Sequence, residues 1–528
     1  MVKLHNLISK LSKASPESVH TFHTDSTSIF EYLHIETPVE TKYINTLEKQ
    51  RKNKSIIFLC GSSGDGKSAI IAKNKTKFEM DYNFHVDATH SFKPNQTAIE
   101  ALDESFNDYN NNQKSLVVGI NIGILMNYVI EGDTSHNEIK EAINSFLKNE
   151  KNESNIYFIN FEDYSKFEFT EYKISSIFIK SLFEKITLQS DANPFYKAFL
   201  IDKENNQTSS MHQNFRLLSI EAIQNSIIEL LITVNLKYDQ FITTRSLLDF
   251  LYTLLSAPDI LINQLFEDDS NMIIKNIRKE DPVLIRTYQL DKFILERASE
   301  KEDKSLTEFI SIFNQICTKE ILDEKHASLL LRVFYLFRNN DISNNYHKEF
   351  IDNFDDRAIH NFVHLVAIHK SYDNENKKTI QTFYKDIKGA ILFYVNKKIP
   401  TLSKKGLLTL SNMKTVTTAV PIEITPNWSK IKAYTSKSFS HFPLFLKVNS
   451  TELIDIDITL NMLIMINFIN SGYRPNKHDR NTIILFDELI QLIIEKATGS
   501  NEIILILDNK RVRFKNIEDE IEVVEYED

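Results

Sequence analysis

The first third of the chain interleaves short apolar runs with segments whose apolar residues recur at helical spacing. The runs are rich in β-branched and aromatic residues and too short for most helices, so they predict buried strands. They lie at residues 55–60, 82–87, 116–125 and 156–161. With helices between them, they predict an α/β domain with a parallel sheet over residues 1–165.

A helix is predicted directly before the first strand. Thr37 has the character of an N-cap, Pro38 suits the first helical position, and Glu40 stands where a capping-box carboxylate belongs. The helix is expected to end near Gln50.

In the remainder of the chain the spacing of apolar residues changes twice. Helical spacing at residues 172–183 and 215–255 predicts a helical lid over 166–300 and a helical middle domain over 301–404. Alternating stretches predict a mixed α+β domain over 405–528, with one hairpin that pairs 503–506 with 511–514. Within that last domain, residues 460–469 predict a buried core element and residues 483–494 an amphipathic helix. The expected fold class is therefore multidomain: α/β, then all-α, then α+β.

Composition narrows the class of protein. The 528 residues are 42% hydrophobic and 25% charged, with a net charge of -10, so any contact with DNA has to be local. Two cysteines exclude a disulfide framework and favour a reducing, cytoplasmic compartment. Lysines interrupt the N-terminal apolar stretch, whereas a signal peptide needs an uninterrupted apolar core, so export is not expected. The most membrane-like run, 460–469, is too short to span a bilayer.

Glycine marks one segment of the chain. Only 10 glycines occur, and six of them precede residue 133. Glycine permits positive φ and close backbone approach to a ligand, so this concentration predicts a binding site. The segment contains GSSGDGKS at residues 61–68.

The octapeptide fits G-x-x-x-x-G-K-[ST] between a predicted strand and a predicted helix, as in a P-loop NTPase of AAA-like type. Its backbone amides and the helix N-terminus suit phosphate. Lys67 would neutralise the β- and γ-phosphates and Ser68 would ligate Mg²⁺. A chance match on a turn is the alternative. The predicted ATP-binding residues are Gly61, Ser62, Ser63, Gly64, Asp65, Gly66, Lys67 and Ser68, with Asp65 expected to point to solvent.

The groups needed for hydrolysis are less obvious. Asp87, at the end of the second strand, is the candidate metal carboxylate, although no glutamate follows it. Asn121 is either a water-orienting group or an ordinary turn residue, and both interpretations stay open. Glu162 and Asp163 are reserve carboxylates, with a solvated loop pair as the alternative.

Two further cationic features are candidates for binding. Arg245 follows a cap-like Thr243 and would reach a γ-phosphate from the lid, with a surface arginine as the alternative. A basic loop at 472–480 suits a phosphate backbone or an acidic partner, with a solvated loop as the alternative. Its cations are Arg474, Lys477 and Arg480. No paired-carboxylate and lysine arrangement indicates a nuclease.

Four segments together resemble the DptF family, components of bacterial phosphorothioation-dependent DNA restriction systems. They are residues 58–68, 87–91, 119–123 and 472–480. The resemblance runs along most of the chain. It implies a role beside the proteins DptG and DptH in a complex that damages DNA lacking the phosphorothioate mark.

Three functions stay open at this level. The first is an ATP-hydrolysing subunit of such a complex. The second is a nucleotide-gated scaffold without significant turnover, and the third is a signalling ATPase of another defence system.

Overall fold

A computed structural model describes most of the chain. The described residues are 3–14, 27–89, 91, 93, 95–148, 150, 154–170, 173–205, 209–317, 321–413, 416–434, 439–453, 455–476, 479–507, 510–517 and 520–527. The chain forms two compact units, one of residues 1–168 and 175–355 and the other of residues 169–174 and 356–528. The division into four domains stays a prediction.

The elements up to residue 175 comprise a parallel sheet with its helices and a separate two-stranded sheet. In chain order they are α1 (Leu4–Ser9), α2 (Thr27–Leu33), α3 (Pro38–Gln50), β1 (Ile56–Cys60), α4 (Lys67–Phe78), β2 (Tyr82–His85), α5 (Ala98–Asn111), β3 (Ser115–Ile120), α6 (Ile122–Glu131), α7 (Asn137–Leu147), β4 (Ile156–Asn160), β5 (Glu168–Thr170) and β6 (Lys173–Ser175). The small sheet pairs β5 with β6.

The parallel sheet has the strand order β2-β3-β1-β4, which confirms the predicted α/β layout. The last residue of β1, Cys60, pairs with Ile120 of β3 and with Asn160 of β4. The carboxyl ends of three strands therefore meet at one edge. In open α/β sheets this edge is where ligands bind.

Both faces of the sheet are covered, as a parallel sheet requires. On one face Phe58 packs with Phe106 of α5 and Tyr128 of α6. On the other face Ile57 packs with Tyr43 of α3 and Ile71 of α4. This three-layer arrangement fixes the position of the segment that leaves β1.

One predicted strand is wrong in its second half. The run 116–125 leaves the sheet at Ile120, and α6 begins at Ile122. The apolar residues beyond Ile120 serve a helix, because Leu125 and Tyr128 lie three apart and both are buried. A continuous apolar run does not by itself distinguish these two states.

Gly119 permits a close approach between β3 and the end of β2. A Cβ at this position would lie 2.4 Å from the Val86 carbonyl oxygen and 2.8 Å from Ile71 Cδ1. The amide of Ala88 donates to the Gly119 carbonyl at 2.8 Å, so the segment cannot easily move away. The glycine therefore positions residues 86–88 at the edge of the sheet.

Gly119→Ala is expected to lower the free energy of unfolding by about 2 kcal/mol, because overpacking forces the backbone to shift. Gly123→Ala is the matched control, since a Cβ there meets nothing within 4 Å and lies in a helix. Urea unfolding of both variants measures the difference. Equal stabilities would contradict the close approach.

Helix α3 begins as predicted, with the Thr37 side chain accepting the Glu40 amide. The predicted capping-box role of the Glu40 carboxylate is wrong. That carboxylate is buried and accepts from His34 Nε2 at 2.8 Å and from Lys73 Nζ at 3.2 Å. It thus ties α3 to α4, because charged partners outcompete a neutral backbone amide for a buried carboxylate.

The ionisation of Glu40 should make stability depend on pH. Burial raises the pKa of Glu40, but its contacts with His34 and Lys73 lower it, and the net direction is downward. A lowered pKa stabilises the fold at pH values above the ordinary glutamate pKa, and this contribution is lost as the pH falls through the folded value. Glu40→Gln should therefore be less stable than the wild type at pH 7, by about 2 kcal/mol.

The gap between the two proteins should shrink as the pH is lowered below about 4.3, the ordinary glutamate pKa. Unfolding curves at a series of pH values measure it. Glu48→Gln is the control, because Glu48 pairs with Lys77 and both side chains are at least half exposed. A gap that stays constant down to pH 2 would contradict the ion-pair account.

The region predicted as a helical lid, 166–300, begins with the strands β5 and β6, so the prediction of helix is wrong there. Helices build the rest of the first unit, as predicted. They are α8 (Ile177–Thr187), α9 (Pro194–Glu204), α10 (Ser210–Leu218), α11 (Glu221–Tyr238), α12 (Thr244–Ser256), α13 (Leu261–Glu267), α14 (Met272–Ile277), α15 (Tyr288–Ala298), α16 (Lys304–Cys317) and α17 (Ala327–Phe337). Among the described residues no helix is by itself long and apolar enough to cross a bilayer. Helices α10 and α11, which meet at a bend of 81°, are together long and apolar enough to cross a bilayer by length and composition alone.

The second unit combines helices with antiparallel sheets, as expected of an α+β region. Its elements are α18 (Arg357–Lys370), α19 (Lys377–Val395), α20 (Thr401–Lys404), β7 (Leu407–Asn412), β8 (Val416–Pro421), β9 (Ile424–Pro426), α21 (Trp428–Ala433), β10 (His441–Leu444), β11 (Leu446–Val448), β12 (Thr451–Glu452), β13 (Ile456–Thr459), α22 (Leu460–Asn470), α23 (Arg480–Ala497), β14 (Glu502–Leu507), β15 (Lys510–Ile517) and β16 (Glu520–Glu527).

The main sheet of this unit has the order β16-β15-β14-β8-β7. Ile503 pairs with Phe514 and Ile506 with Arg511, which confirms the predicted hairpin. Helix α22 buries Leu463 and Ile466, so the apolar run at 460–469 is a core element as predicted. Helix α23 confirms the amphipathic helix predicted at 483–494.

Candidate functional site

Residues 61–68, here called the glycine loop, connect the end of β1 to the start of α4. Gly64 and Gly66 have φ angles of 85° and 100°, a backbone conformation that residues other than glycine rarely adopt. Gly66 is the N-cap of α4 and offers no side-chain cap. The first amides of a helix have no partner within it, so those of Lys67 and Ser68 are donors for a ligand.

The side chain of Lys67 contacts the first two residues of the glycine loop. It is buried, and Nζ donates to the carbonyl oxygens of Gly61 at 3.0 Å and Ser62 at 2.6 Å. Burial lowers the pKa of Lys67, while the charges of Asp65 and Asp87 act in the opposite direction. A cation held by two neutral carbonyls retains capacity for an anion.

Asp65 does not point to solvent, contrary to the prediction. Its side chain is 9% exposed, and Oδ2 accepts the backbone amide of Ser62 at 2.8 Å. Oδ1 accepts from Lys166 Nζ at 3.2 Å. A short acidic side chain that returns to the backbone three residues earlier is favoured in turns, which explains the inward orientation.

Asp87 lies two residues beyond β2, at the same edge of the sheet as the glycine loop. The hydrogen bond from the Ala88 amide to the Gly119 carbonyl fixes the position of Asp87 along β3. The carboxylate is half-buried and accepts from the amide of Thr89 at 3.0 Å and from its hydroxyl at 2.6 Å. Its charge opposes the lowering of the Lys67 pKa that burial causes.

Asn121 follows β3 and adjoins the first residue of the glycine loop. The Gly61 amide donates to the Ile120 carbonyl at 3.3 Å, so residues 61 and 121 leave the sheet side by side. Asn121 is the N-cap of α6, but its side chain makes no capping hydrogen bond. Its amide is therefore not committed to the helix. Glu162 and Asp163, the reserve carboxylates, are exposed in a short turn after β4.

The start of α12 packs directly on the glycine loop. The Arg245 amide donates to the Gly64 carbonyl at 3.1 Å, and the Thr244 hydroxyl donates to the Asp65 carbonyl at 3.4 Å. A Cβ at Gly64 would lie 3.0 Å from Arg245 Cβ. Thr243 caps α12 as predicted, and the Arg245 side chain is exposed. The predicted lid thus supplies a cation beside the loop.

The donor set of this edge suits a magnesium triphosphate. The glycine loop supplies backbone amides and one ammonium group, the kinds of donor that suit phosphate oxygens. Ser68 and Asp87 carry the oxygen ligands that Mg²⁺ prefers, and phosphates usually complete its sphere. Across the described ranges, no group of three or more His, Cys, Asp or Glu side chains is arranged to hold a metal ion. A magnesium site here would depend on the nucleotide.

The basic loop of the second unit is only partly described. Arg474 is exposed, and the Asp479 carboxylate accepts from Tyr473 and from the Asn476 amide. Lys477 lies outside the described residues, and so does the side chain of Arg480. The DNA-binding role of this loop stays a prediction.

No protein-family model, no curated protein and no solved structure matches the chain. The structure nevertheless brings Lys67, Ser68, Asp87, Asn121 and Arg245 to one end of one sheet. Sequence reasoning missed the contact of Asp65 with Lys166, which lies 101 residues further along the chain. No local pattern connects two positions at that separation.

Proposed function

We propose that the first unit binds a nucleoside triphosphate, ATP, together with Mg²⁺, at the glycine loop. The observation that carries the proposal is the buried Lys67 ammonium beside two positive-φ glycines at the start of α4. Backbone amides, a helix N-terminus and a lysine in this combination are the groups with which P-loops bind phosphate. Ser68 and Asp87 would hold the metal ion.

The bound nucleotide would supply a γ-phosphoryl group for transfer to water. The chain's own contribution would be charge and position: Lys67 and Arg245 carry positive charge to the phosphates, and Asn121 orients the attacking water. The contact of α12 with the glycine loop supports a coupling of lid position to the state of the loop.

We further propose that the chain is the ATP-hydrolysing subunit of a phosphorothioation-dependent restriction complex that acts against unmodified DNA, beside DptG and DptH. The support is the resemblance at residues 58–68, 87–91, 119–123 and 472–480. Exposed Arg474 offers one contact to a phosphate backbone. Substitution of sulfur for oxygen changes the backbone and leaves base pairing intact, so the complex must sense backbone chemistry.

Turnover of ATP tests this proposal. Wild type and Lys67→Ala are compared alone and with unmodified or phosphorothioated DNA, with and without the two partner proteins. We expect Lys67-dependent phosphate release in at least one mixture, and more of it with unmodified DNA. Absence of such release in all mixtures would contradict the hydrolysing role.

A nucleotide-gated scaffold is the second candidate. It is favoured by one observation: the Asp87 carboxylate is held by Thr89, and no glutamate follows it at residues 88–89. A site without a strong general base can bind Mg-ATP and change shape without turnover. Tight binding with no phosphate release in the same assay would select this candidate. A signalling ATPase of another defence system would instead turn over ATP without salt-sensitive DNA binding.

A further inference from the structure

Asp65 introduces a negative charge into a loop whose proposed ligand is itself strongly negative. Its carboxylate packs over Gly61, since a Cβ there would lie 3.0 Å from Asp65 Oδ2. Like charges close to each other repel, and they repel more strongly in a partly buried site than in bulk water. The loop therefore needs something to offset this charge.

Lys166 is placed to do so. Its Nζ lies 3.2 Å from Asp65 Oδ1, and the two side chains are 22% and 9% exposed. The lysine backbone is anchored, because the Ser176 hydroxyl donates to the Lys166 carbonyl and the neighbouring Phe167 is buried. The pair is thus better shielded from solvent than an ordinary surface ion pair.

The other oxygen of Asp65 has a different task. Oδ2 accepts the Ser62 amide at 2.8 Å and so closes the start of the glycine loop. An asparagine would retain this hydrogen bond through its carbonyl oxygen while removing the charge. The bracing of the loop and the charge of Asp65 can therefore be separated by substitution.

We propose that Lys166 is a positioning residue of the triphosphate site, which neutralises Asp65 and holds its carboxylate against Ser62, away from the phosphates. The proposal rests on the proposed nucleotide binding. Asp65 then holds the start of the loop through its hydrogen bond with the Ser62 amide. Lys166 cancels the negative charge of Asp65, which would otherwise repel the phosphates.

A double-mutant cycle measured by calorimetry with Mg-ATP and Mg-ADP tests the proposal. Lys166→Ala should weaken Mg-ATP binding about tenfold, or about 1.4 kcal/mol, and Mg-ADP binding less, because ADP carries less charge. Lys166→Arg should restore affinity. In the Asp65→Asn background, where the charge to be neutralised is absent, adding Lys166→Ala should cost no more than about twofold.

Three results would overturn the proposal: no loss in Lys166→Ala, the same loss in the Asp65→Asn background, or equal losses for ATP and ADP. Thermal unfolding of each variant verifies that it is folded. Lys67→Ala separates this proposal from the one it rests on. If wild type binds Mg-ATP and Lys67→Ala does not, the site stands whatever the result for Lys166; if wild type does not bind, both proposals fail.

Discussion

Replacing Lys67 with alanine is expected to weaken Mg-ATP binding about a hundredfold. Truncating one partner of a close charged contact typically costs about 3 kcal/mol, and every 1.4 kcal/mol is about tenfold in affinity. Lys67 is buried and its ammonium group contacts two carbonyl oxygens of the loop, so the substitution removes a positive charge from within the loop. Calorimetric titration of the variant measures the loss.

Lys77→Ala is the matched control, because Lys77 lies on the same helix and its pair with Glu48 is exposed. It should bind Mg-ATP like the wild type. If Lys67→Ala retained affinity within a few-fold of the control, the ammonium would not be a phosphate ligand.

Arg332→Met is expected to lower the free energy of unfolding of the first unit by about 3–5 kcal/mol, because it leaves a buried carboxylate without its counter-charge. The guanidinium donates to Asp281 through Nε at 3.3 Å and through Nη2 at 2.7 Å. Nη1 also donates to Glu267 at 2.6 Å and to Asn263 at 2.9 Å. The side chains of Arg332 and Asp281 are 6% and 8% exposed.

Chemical denaturation measures this effect, with Arg278→Met as the matched control. Arg278 donates to both oxygens of Asp269 at 2.8 Å, but both side chains are more than half exposed, so its loss should cost less than about 1 kcal/mol. Adding Asp281→Asn to Arg332→Met should recover part of the stability, since asparagine can still accept the Val283 amide. Equal effects of the two arginine substitutions would contradict the account.

The parallel sheet and the glycine loop could be predicted because their causes are local. A short apolar run, glycines and a Lys-Ser pair occupy consecutive positions, and the helix start at Thr37 depends on four residues. The strand predicted at 116–125 was wrong beyond Ile120, because an apolar run is equally compatible with a half-buried helix.

What could not be predicted depends on contacts between distant positions. Asp65 finds Lys166, and Glu40 finds Lys73, only after the sheet and its helices have assembled. Both carboxylates had a local alternative, solvent for Asp65 and a capping box for Glu40. A nearby ammonium group outcompeted each alternative, since burial strengthens charged contacts over neutral ones.

Equilibrium titration of the wild-type protein with Mg-ATP, Mg-ADP and AMP tests the central claim most directly. The amides of the glycine loop and Lys67 would act mainly on the β- and γ-phosphates. We therefore expect saturable binding of one ATP per chain, competition by ADP, and no measurable competition by AMP. Absence of ATP binding, or equal affinity for AMP, would contradict a triphosphate site at residues 61–68.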